Sequence, residues 1–381
     1  MRCTRCINDV SIPGIVFNQD GECNHCKVHD LLCKTYPLDN KGKVILDNLI
    51  NTIKKRGKHQ KYDCIVGISG GRDSTYTLLL AKKKWKLRPL AVHFNDGFGN
   101  PVAGENMRNA SEILKIDSIT MSSDWRESKD LRLAFLKAST PDINQATDLG
   151  IAASLYAAAV KHNVKSVIIG QSFRTEGIAP LEWNFLDGKY LKSVHKRFGK
   201  IKLSKWKPTE PGFNLSLFQI FYYSIIKQIK VHLPLYLEDY NRNEATKIIS
   251  KELRWVDTGA HYFDDLYQTL YTYILRKKFR IDRRIYNYSA LVRSGQISRS
   301  NALKIVSKPS SIEDPEILRL CIKRLGLNEE DINLILNQNI KTFRDYNTSY
   351  SIIKFLKFPI WLLSRVNIIP RVTFEKYFRL G

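Results

Sequence analysis

Residues 63–84 read DCIVGISGGRDSTYTLLLAKKK, and the order of these residues decides the fold. The run from Asp63 to Ile68 is short, apolar and partly β-branched, which suits a strand buried on both faces. From Asp73 onward the apolar spacing becomes helical. Between the two lie Ser69, Gly70, Gly71, Arg72, Asp73 and Ser74. Glycine lets backbone N–H groups approach an anion closely, and a helix N-terminus adds its positive end, so strand, loop and helix form a cradle for phosphate. The spacing is neither G-x-x-x-x-G-K-S/T nor G-x-G-x-x-G, which excludes the two commonest nucleotide loops.

The same alternation runs outward from this stretch. Residues 89–94 (PLAVHF), 117–121 and 164–170 (VKSVIIG) read as strands; 105–115, LRLAFLKA and ATDLGIAASLYAAAV read as helices. This pattern predicts an α/β fold with a doubly wound parallel sheet, whose ligands lie at the carboxyl ends of the strands. Val92 and His93 fall at one such end, and Gly170, Arg174, Thr175 and Glu176 at another. Ahead of the first strand, Val44, Ile45, Leu49 and Ile53 predict an amphipathic helix. Past about residue 187 the pattern changes: residues 186–230 carry ten Lys or Arg against Asp187 and Glu210, and helical periodicities without strands follow. One helix is bounded by Asp314 and Pro315 at its start and Gly326 at its end, placing Ile317, Leu318, Cys321 and Ile322 on a core face. Cys64, inside the first strand, reads as core packing.

Cys3, Cys6, Cys23 and Cys26 write C-x2-C-x16-C-x2-C, the spacing at which two knuckles present four thiolates to one zinc ion. Asn18, Asp20 and Gly21 mark a hairpin tip between the pairs, as in a zinc ribbon. A redox or iron–sulfur use of the thiolates is the rival reading, and Cys33, His25 and His29 are read as ordinary neighbours of the site. Seven cysteines, an odd number, argue against a disulfide framework. The 61 basic and 37 acidic side chains leave a net charge of +24, which favours an anionic partner without choosing among nucleic acid, phosphorylated metabolite and lipid. No apolar run has the length of a spanning helix and the first residues lack a secretory core, so the expected address is cytoplasmic.

S-G-G-x-D-S is the pyrophosphate-loop signature of the ATP pyrophosphatase superfamily, which residues 69–74 resemble. That resemblance implies ATP held by Ser69, Gly70, Gly71, Arg72, Asp73, Ser74 and Thr75, with a substrate carbonyl oxygen attacking the α phosphorus and pyrophosphate leaving. It implies magnesium on Asp73, the nucleoside against the backbone of Val92 and His93, and Gly170 and Thr175 beside the nucleotide. Glu176 is expected as a metal or orientation partner and Arg174 as a stabiliser of the leaving group.

The knuckles together with SGGRDST, DLRLAFLKASTPD, GQSFRTEGIAP, YLKSVHKRFG, KKFRIDRR and LVRSGQISRSNAL, in this order, resemble the N-acetyl sugar amidotransferases, the WbpG- or PseA-like proteins, over about residues 1–307. The resemblance implies an AMP-forming carbon–nitrogen ligase. It adenylates the acetamido oxygen of a nucleotide-linked N-acetyl sugar, and ammonia then gives an acetamidino sugar for surface polysaccharide or glycan. Four units are expected: a zinc-ribbon module (1–40), the ATP pyrophosphatase domain (41–190), a helical basic region for substrate or partner (191–310) and a helical extension (311–381). Arg2 stands where an N-terminal-nucleophile glutaminase needs cysteine. Ammonia is therefore expected from a separate glutamine amidotransferase with a cyclase-like subunit, as in the family.

Lys192, His195, Lys196, Arg197, Lys200 and Lys202 are candidates for the sugar diphosphate, with a solvated basic face as the alternative. Asp282, Arg283, Arg284, Ser294, Gly295 and Gln296 fall in matching blocks without an assigned role. Where the family reads G-G-K-H-x-E-S, this chain has TGAHYFDD: His261, a catalytic candidate, remains, Ala260 replaces lysine, and Phe263 and Asp264 replace Glu-Ser, with Asp264 and Asp265 as possible compensation. The basic, aromatic C-terminal residues read first as packing on the body and second as a peripheral contact with the inner membrane face. Two rival functions stand beside the amidotransferase. A tRNA thiolase or lysidine-type ligase fits the charge, but thiolation needs a free cysteine pair near ATP, so no nucleic acid is expected; a nucleotide-binding scaffold fits the altered block.

Overall fold

The computed structural model describes residues 1–206, 212–258, 264–309 and 314–380. Five strands, β1 (Cys64–Gly67), β2 (Pro89–Asn95), β3 (Ser118–Ser122), β4 (Ser166–Ile168) and β5 (Lys230–His232), form one sheet in the order β3-β2-β1-β4-β5. Every neighbouring pair is parallel. The doubly wound sheet is therefore present, and its strand order reverses between β1 and β4, where such sheets place their ligands. β5 is a strand that the sequence reading missed: Lys230–His232 is only three half-buried residues and lacks an apolar run.

In chain order the helices are α1 (Asn24–Thr35), α2 (Asn40–Gly57), α3 (Arg72–Leu79), α4 (Pro101–Leu114), α5 (Trp125–Ala138), α6 (Gln145–Lys161), α7 (Gly188–Phe198) and α8 (Leu217–Phe221). There follow α9 (Arg242–Leu253), α10 (Tyr267–Phe279), α11 (Arg283–Arg293), α12 (Arg299–Val306), α13 (Pro315–Leu325), α14 (Glu329–Asn337), α15 (Tyr350–Phe355), α16 (Lys357–Arg365) and α17 (Arg371–Phe378). α3 continues as a π turn through Lys84.

Period-2 alternation in β1 feeds two layers. Ile65 packs with Leu90, Val92 and the apolar residues of α5, α6 and α10; Cys64 and Val66 pack on the other face with α2, α3, α4 and α9. Cys64 is thus a core residue, and burial pushes its thiol up. α2 buries Leu46, Ile50 and Ile53, while Val44 and Ile45 are exposed; the buried stripe is rotated from the expected one. α13 has the expected ends, with Asp314 capping Glu316 N and Ile317 N and Gly326 left-handed at φ +68, and Cys321 is fully buried.

Candidate active site

Gly70 adopts φ +77 between β1 and α3, and a Cβ there would sit 2.1 Å from the Ala103 carbonyl oxygen. Only glycine fits this turn. Its carbonyl is pinned by Asn106 Nδ2 at 3.1 Å and Trp255 Nε1 at 2.9 Å. Ser74 Oγ receives the Ser69 N–H at 3.2 Å and donates to Gly71 O at 3.1 Å, which closes the loop on itself. Gly71, the N-cap of α3, supplies no side-chain cap, so the positive end of the helix is presented beside Ser69 and Ser74 in the cleft wall. A Cβ on Gly170 would meet Asp73 O and Thr77 Oγ1 at 2.7 Å each, so glycine lets the end of β4 lie against the first turn of α3. Gly70→Ala is expected to weaken ATP binding about 100-fold by displacing the loop, and calorimetric titration with ATP would show it; wild-type affinity would contradict this reading of the turn.

Asp73 sits at the start of α3, where its buried carboxylate accepts from Arg72 Nε at 2.9 Å and from the Tyr240 hydroxyl. Tyr240 also receives Arg72 Nε at 3.2 Å and stacks on Tyr76. Gln296 clamps this tyrosine from behind, donating from Nε2 to Tyr240 O at 2.9 Å and accepting the Arg242 N–H at 3.0 Å. Neither Tyr240 nor Gln296 was given a role by spacing, because the contact spans 168 residues from Arg72 to Tyr240 and no local pattern reports it.

Three carboxyls meet around the loop. Glu176 shares a hydrogen bond with Asp73, and burial followed by the Asp73 charge holds its carboxyl well above the ordinary range. Asp264 takes a hydrogen bond from Ser69; burial raises its carboxyl, and the charges of Asp73 and Asp96 add to the rise. Among the described residues only the four N-terminal cysteines form a convergent set of three or more metal-ligand side chains. Asp73 and Glu176, hydrogen-bonded to each other, are the carboxyl pair that would hold magnesium together with phosphate oxygens.

Asp264 reaches the site because residues 264–266 pair with the loop after β2: Asn100 N donates to Asp264 O at 3.1 Å and Leu266 N to Phe98 O at 2.8 Å. Next to it Asp265 Oδ2 lies 3.9 Å from Arg132, whose guanidinium is bound to Asp96; Thr147 Oγ1 also donates to Asp96 at 2.6 Å. The altered TGAHYFDD block thus delivers one carboxylate to the loop and one to the arginine that fixes the loop after β2. His261 lies outside the described residues.

Two cavities of about 680 and 280 Å³ lie at the carboxyl ends of the strands and share the lining residues Ile68, Ser69, His93, Asn95, Gly99 and Asp264. Val92 and Gly170 line the smaller one. His93 Nδ1 lies 3.1 Å from Ile68 O and burial lowers its pKa, which suits a neutral strand residue at the pocket edge. Thr75 is buried in the first turn of α3 and, with Thr175, lines neither cavity. Arg174 departs from its expected place: its guanidinium donates to Tyr236 O at 2.6 Å and Tyr36 O at 2.7 Å, so it braces the turn after β4 instead of facing a leaving group. None of Lys192, His195, Lys196, Arg197, Lys200 and Lys202 lines either cavity, and His195 Nε2 pairs with Asp130 at 2.9 Å. No cysteine lines them either.

The four cysteines of the knuckles converge and are buried. Their sulfurs are 3.8 Å apart for Cys3 and Cys26, and 3.7 Å for both Cys6–Cys23 and Cys23–Cys26. A zinc ion at the usual Zn–S length of about 2.3 Å has tetrahedral edges of about 3.8 Å. The donor set fits zinc. The hairpin tip is where expected, with Gly21 left-handed at φ +76, although its pairing is a single bridge between Phe17 and Cys23. The cluster is tied to the other end of the described chain: Arg293 Nη1 reaches Cys6 Sγ at 3.5 Å, and Arg299 donates to Cys6 O and Cys3 O at 3.0 Å each.

Residues 239–358 match the family described as "LPS biosynthesis protein WbpG-like, C-terminal domain". The matched stretch includes Tyr240, which holds Asp73, Gln296, which holds Tyr240, and Asp264, Asp265 and Gln268, which line the smaller cavity. An uncharacterized protein of Methanocaldococcus jannaschii, MJ1599, is 30% identical over 129 residues, 33% of this chain and 44% of that protein. The chain thus spans less than half the length of this curated relative. Among solved structures, NMN synthetase from Francisella tularensis is 15% identical with a TM-score of 0.31, covering 78% of this chain and 97% of that one. NH3-dependent NAD synthetase from Campylobacter jejuni is 14% identical with a TM-score of 0.32, covering 78% and 98%. The U34-tRNA thiolase NcsA from Methanococcus maripaludis is 13% identical with a TM-score of 0.29, covering 86% and 99%.

Proposed function

We propose that this chain is an ATP-dependent, AMP-forming amidotransferase that converts the acetamido group of a nucleotide-linked N-acetyl sugar into an acetamidino group, for surface polysaccharide or glycan. The observation that carries this reading is the glycine turn at Gly70 and Gly71 beside the buried carboxyls of Asp73, Glu176 and Asp264 at the switch point of a parallel sheet. The WbpG-like domain that supplies Asp264 and Tyr240 supports the sugar as acceptor. The main chain of residues 69–74 and the N-terminus of α3 grip the β and γ phosphates of ATP. The acetamido oxygen attacks the α phosphorus; the new O–P bond forms as the bond to pyrophosphate breaks. Ammonia then adds to the activated carbon, the C–O bond breaks, and AMP leaves. Asp73 and Glu176 would hold magnesium, which would supply charge for the leaving phosphates. An amide oxygen is a poor leaving group until adenylated, so the loop is used where the chemistry needs it.

Ammonia reaches this site from a separate glutaminase subunit with its cyclase-like partner. Incubation of the chain with ATP, ammonium and a panel of UDP- or CMP-linked acetamido sugars is expected to yield AMP and an amidine. No AMP release across the panel would contradict the proposal. The purified chain is expected to leave glutamine intact, and glutamine hydrolysis by the chain alone would contradict the separate ammonia source.

The C-terminal helices pack on the body through Ile353, Tyr377 and Phe378, and the apolar side chains that they leave in solvent are the surface proposed for a peripheral contact with an anionic membrane. Phe355 is 87% exposed and Phe358 70% exposed, with Leu362 and Val366 also in solvent. Lys354, Lys357 and Arg365 surround them, a basic rim around an apolar face that complements acidic lipid headgroups. No described helix is long and apolar enough to span a bilayer. The full chain is expected to float with phosphatidylserine vesicles and not with phosphatidylcholine vesicles, and a Phe355→Ser, Phe358→Ser variant to lose most of that binding. Equal flotation of both proteins would contradict it.

A further inference from the structure

Besides the loop, the smaller cavity is lined by an arm of residues made of Asn144, Thr147, Asp148 and Ser154, at the N-cap and along α6, with Gln268 at the start of α10. This wall is polar and incompletely bonded. Asn144 is 8% exposed and Ser154 1%, yet Asn144 Oδ1 and Ser154 Oγ have no hydrogen-bond partner among the described residues. Buried polar atoms left unpaired are costly, and native chains seldom keep them without a guest.

Asp148 is held in place within the wall. Its two oxygens accept from Asn144 Nδ2 at 3.1 Å and Asn184 Nδ2 at 3.0 Å, and burial raises its carboxyl to about 6 against the nearby cations Arg283 and Lys376. Arg283 is itself bound to Gln268 Oε1 at 2.8 Å and lies over Tyr271, a phenol that also feels Asp148. Lys376 donates to Asn184 O at 2.7 Å. A carboxylate with lone pairs to spare, an amide oxygen and a hydroxyl along one wall are acceptors matched to the hydroxyl donors of a sugar ring.

We propose that this arm is the acceptor subsite: it takes the hydroxyl-bearing ring of the acetamido sugar, with Asp148 and Asn144 as its hydrogen-bond acceptors, and leaves the acetamido carbonyl directed back toward the loop. The inference rests on the adenylating function above and adds where the acceptor sits and which side chains select it. It needs no new chemistry. Asp148 acts here as a specificity residue, and the bond-making step stays at the loop.

The test compares wild type with Asp148→Asn and Asn144→Ala, using N-acetylglucosamine and UDP-N-acetylglucosamine as probes in saturation-transfer NMR, with ATP affinity measured in parallel. Either substitution is expected to weaken sugar binding by about 10-fold or more while ATP affinity stays within about twofold. Because the ionised carboxylate is the acceptor, sugar binding by wild type is expected to fall below about pH 6, and Asp148→Asn is expected to lose that fall. Equal weakening of ATP and sugar, or a pH profile unchanged in Asp148→Asn, overturns the subsite; so does failure of the wild type to bind either probe. If the sugar binds as described but ATP is cleaved to ADP, the subsite stands and the adenylating reading fails.

Discussion

Asparagine in place of Asp73 is expected to lower AMP release about 1,000-fold while leaving the melting temperature within a few degrees of wild type. The amide keeps the shape of the side chain and an acceptor for Tyr240, so the fold has little to lose. What disappears is the charge that faces Arg72 and that would hold the cation with Glu176. The sign of the accompanying pH effect follows from the raised carboxyls. Glu176 and Asp264 bind protons more tightly in the folded chain than when unfolded, so without magnesium their contribution to stability is greatest at low pH and declines as pH rises through their raised values. Magnesium must displace those protons; its affinity therefore rises with pH, and it suppresses the decline. Melting curves from acid to neutral pH, with and without magnesium, check both statements. A magnesium effect independent of pH, or as large in Asp73→Asn as in wild type, would contradict the carboxylate site at the loop.

Cys23→Ser is expected to remove the metal and to lower the melting temperature by about 10 °C or more, since a structural zinc site contributes binding energy directly to folding. Elemental analysis is expected to find one zinc per chain in the wild type and no iron. The loss spreads beyond the knuckles because Arg293 and Arg299 fasten α11 and α12 to Cys3 and Cys6, and the Ile7 N–H is bound to Ser289 Oγ at 3.2 Å. Just past α11, Ser294 holds the Arg174 carbonyl and Gln296 holds Tyr240, which in turn holds Asp73. From the zinc module to the loop the path runs through three contacts, Arg293 to Cys6, Gln296 to Tyr240 and Tyr240 to Asp73, and activity is expected to fall with metal content. A metal-free variant with unchanged melting temperature would contradict a structural role.

The parts legible in the sequence are those written locally. Strand β1, the glycine turn and α3 lie within one stretch, and the four cysteines announce their geometry by spacing. β1, β2 and β4 carry apolar runs because the sheet is covered on both faces there. β5 does not, being an edge strand of three half-buried residues. The site is a different matter. Asp264 comes to Ser69 through a short antiparallel pairing with the loop after β2, and Tyr240 to Asp73 through the docking of α9 on α3; no periodicity encodes either. Arg174 shows the reverse failure. Its position after β4 promised a leaving-group contact, but two backbone carbonyls, Tyr36 and Tyr236, needed a donor and took it.

The most direct test is the position at which ATP is cut. With ammonium, magnesium and an acetamido sugar that the chain accepts, phosphorus NMR is expected to show pyrophosphate and AMP appearing together, both abolished by Gly70→Ala. Appearance of ADP and inorganic phosphate instead would mean that the loop does not hold a departing pyrophosphate, and the account would be wrong at its centre.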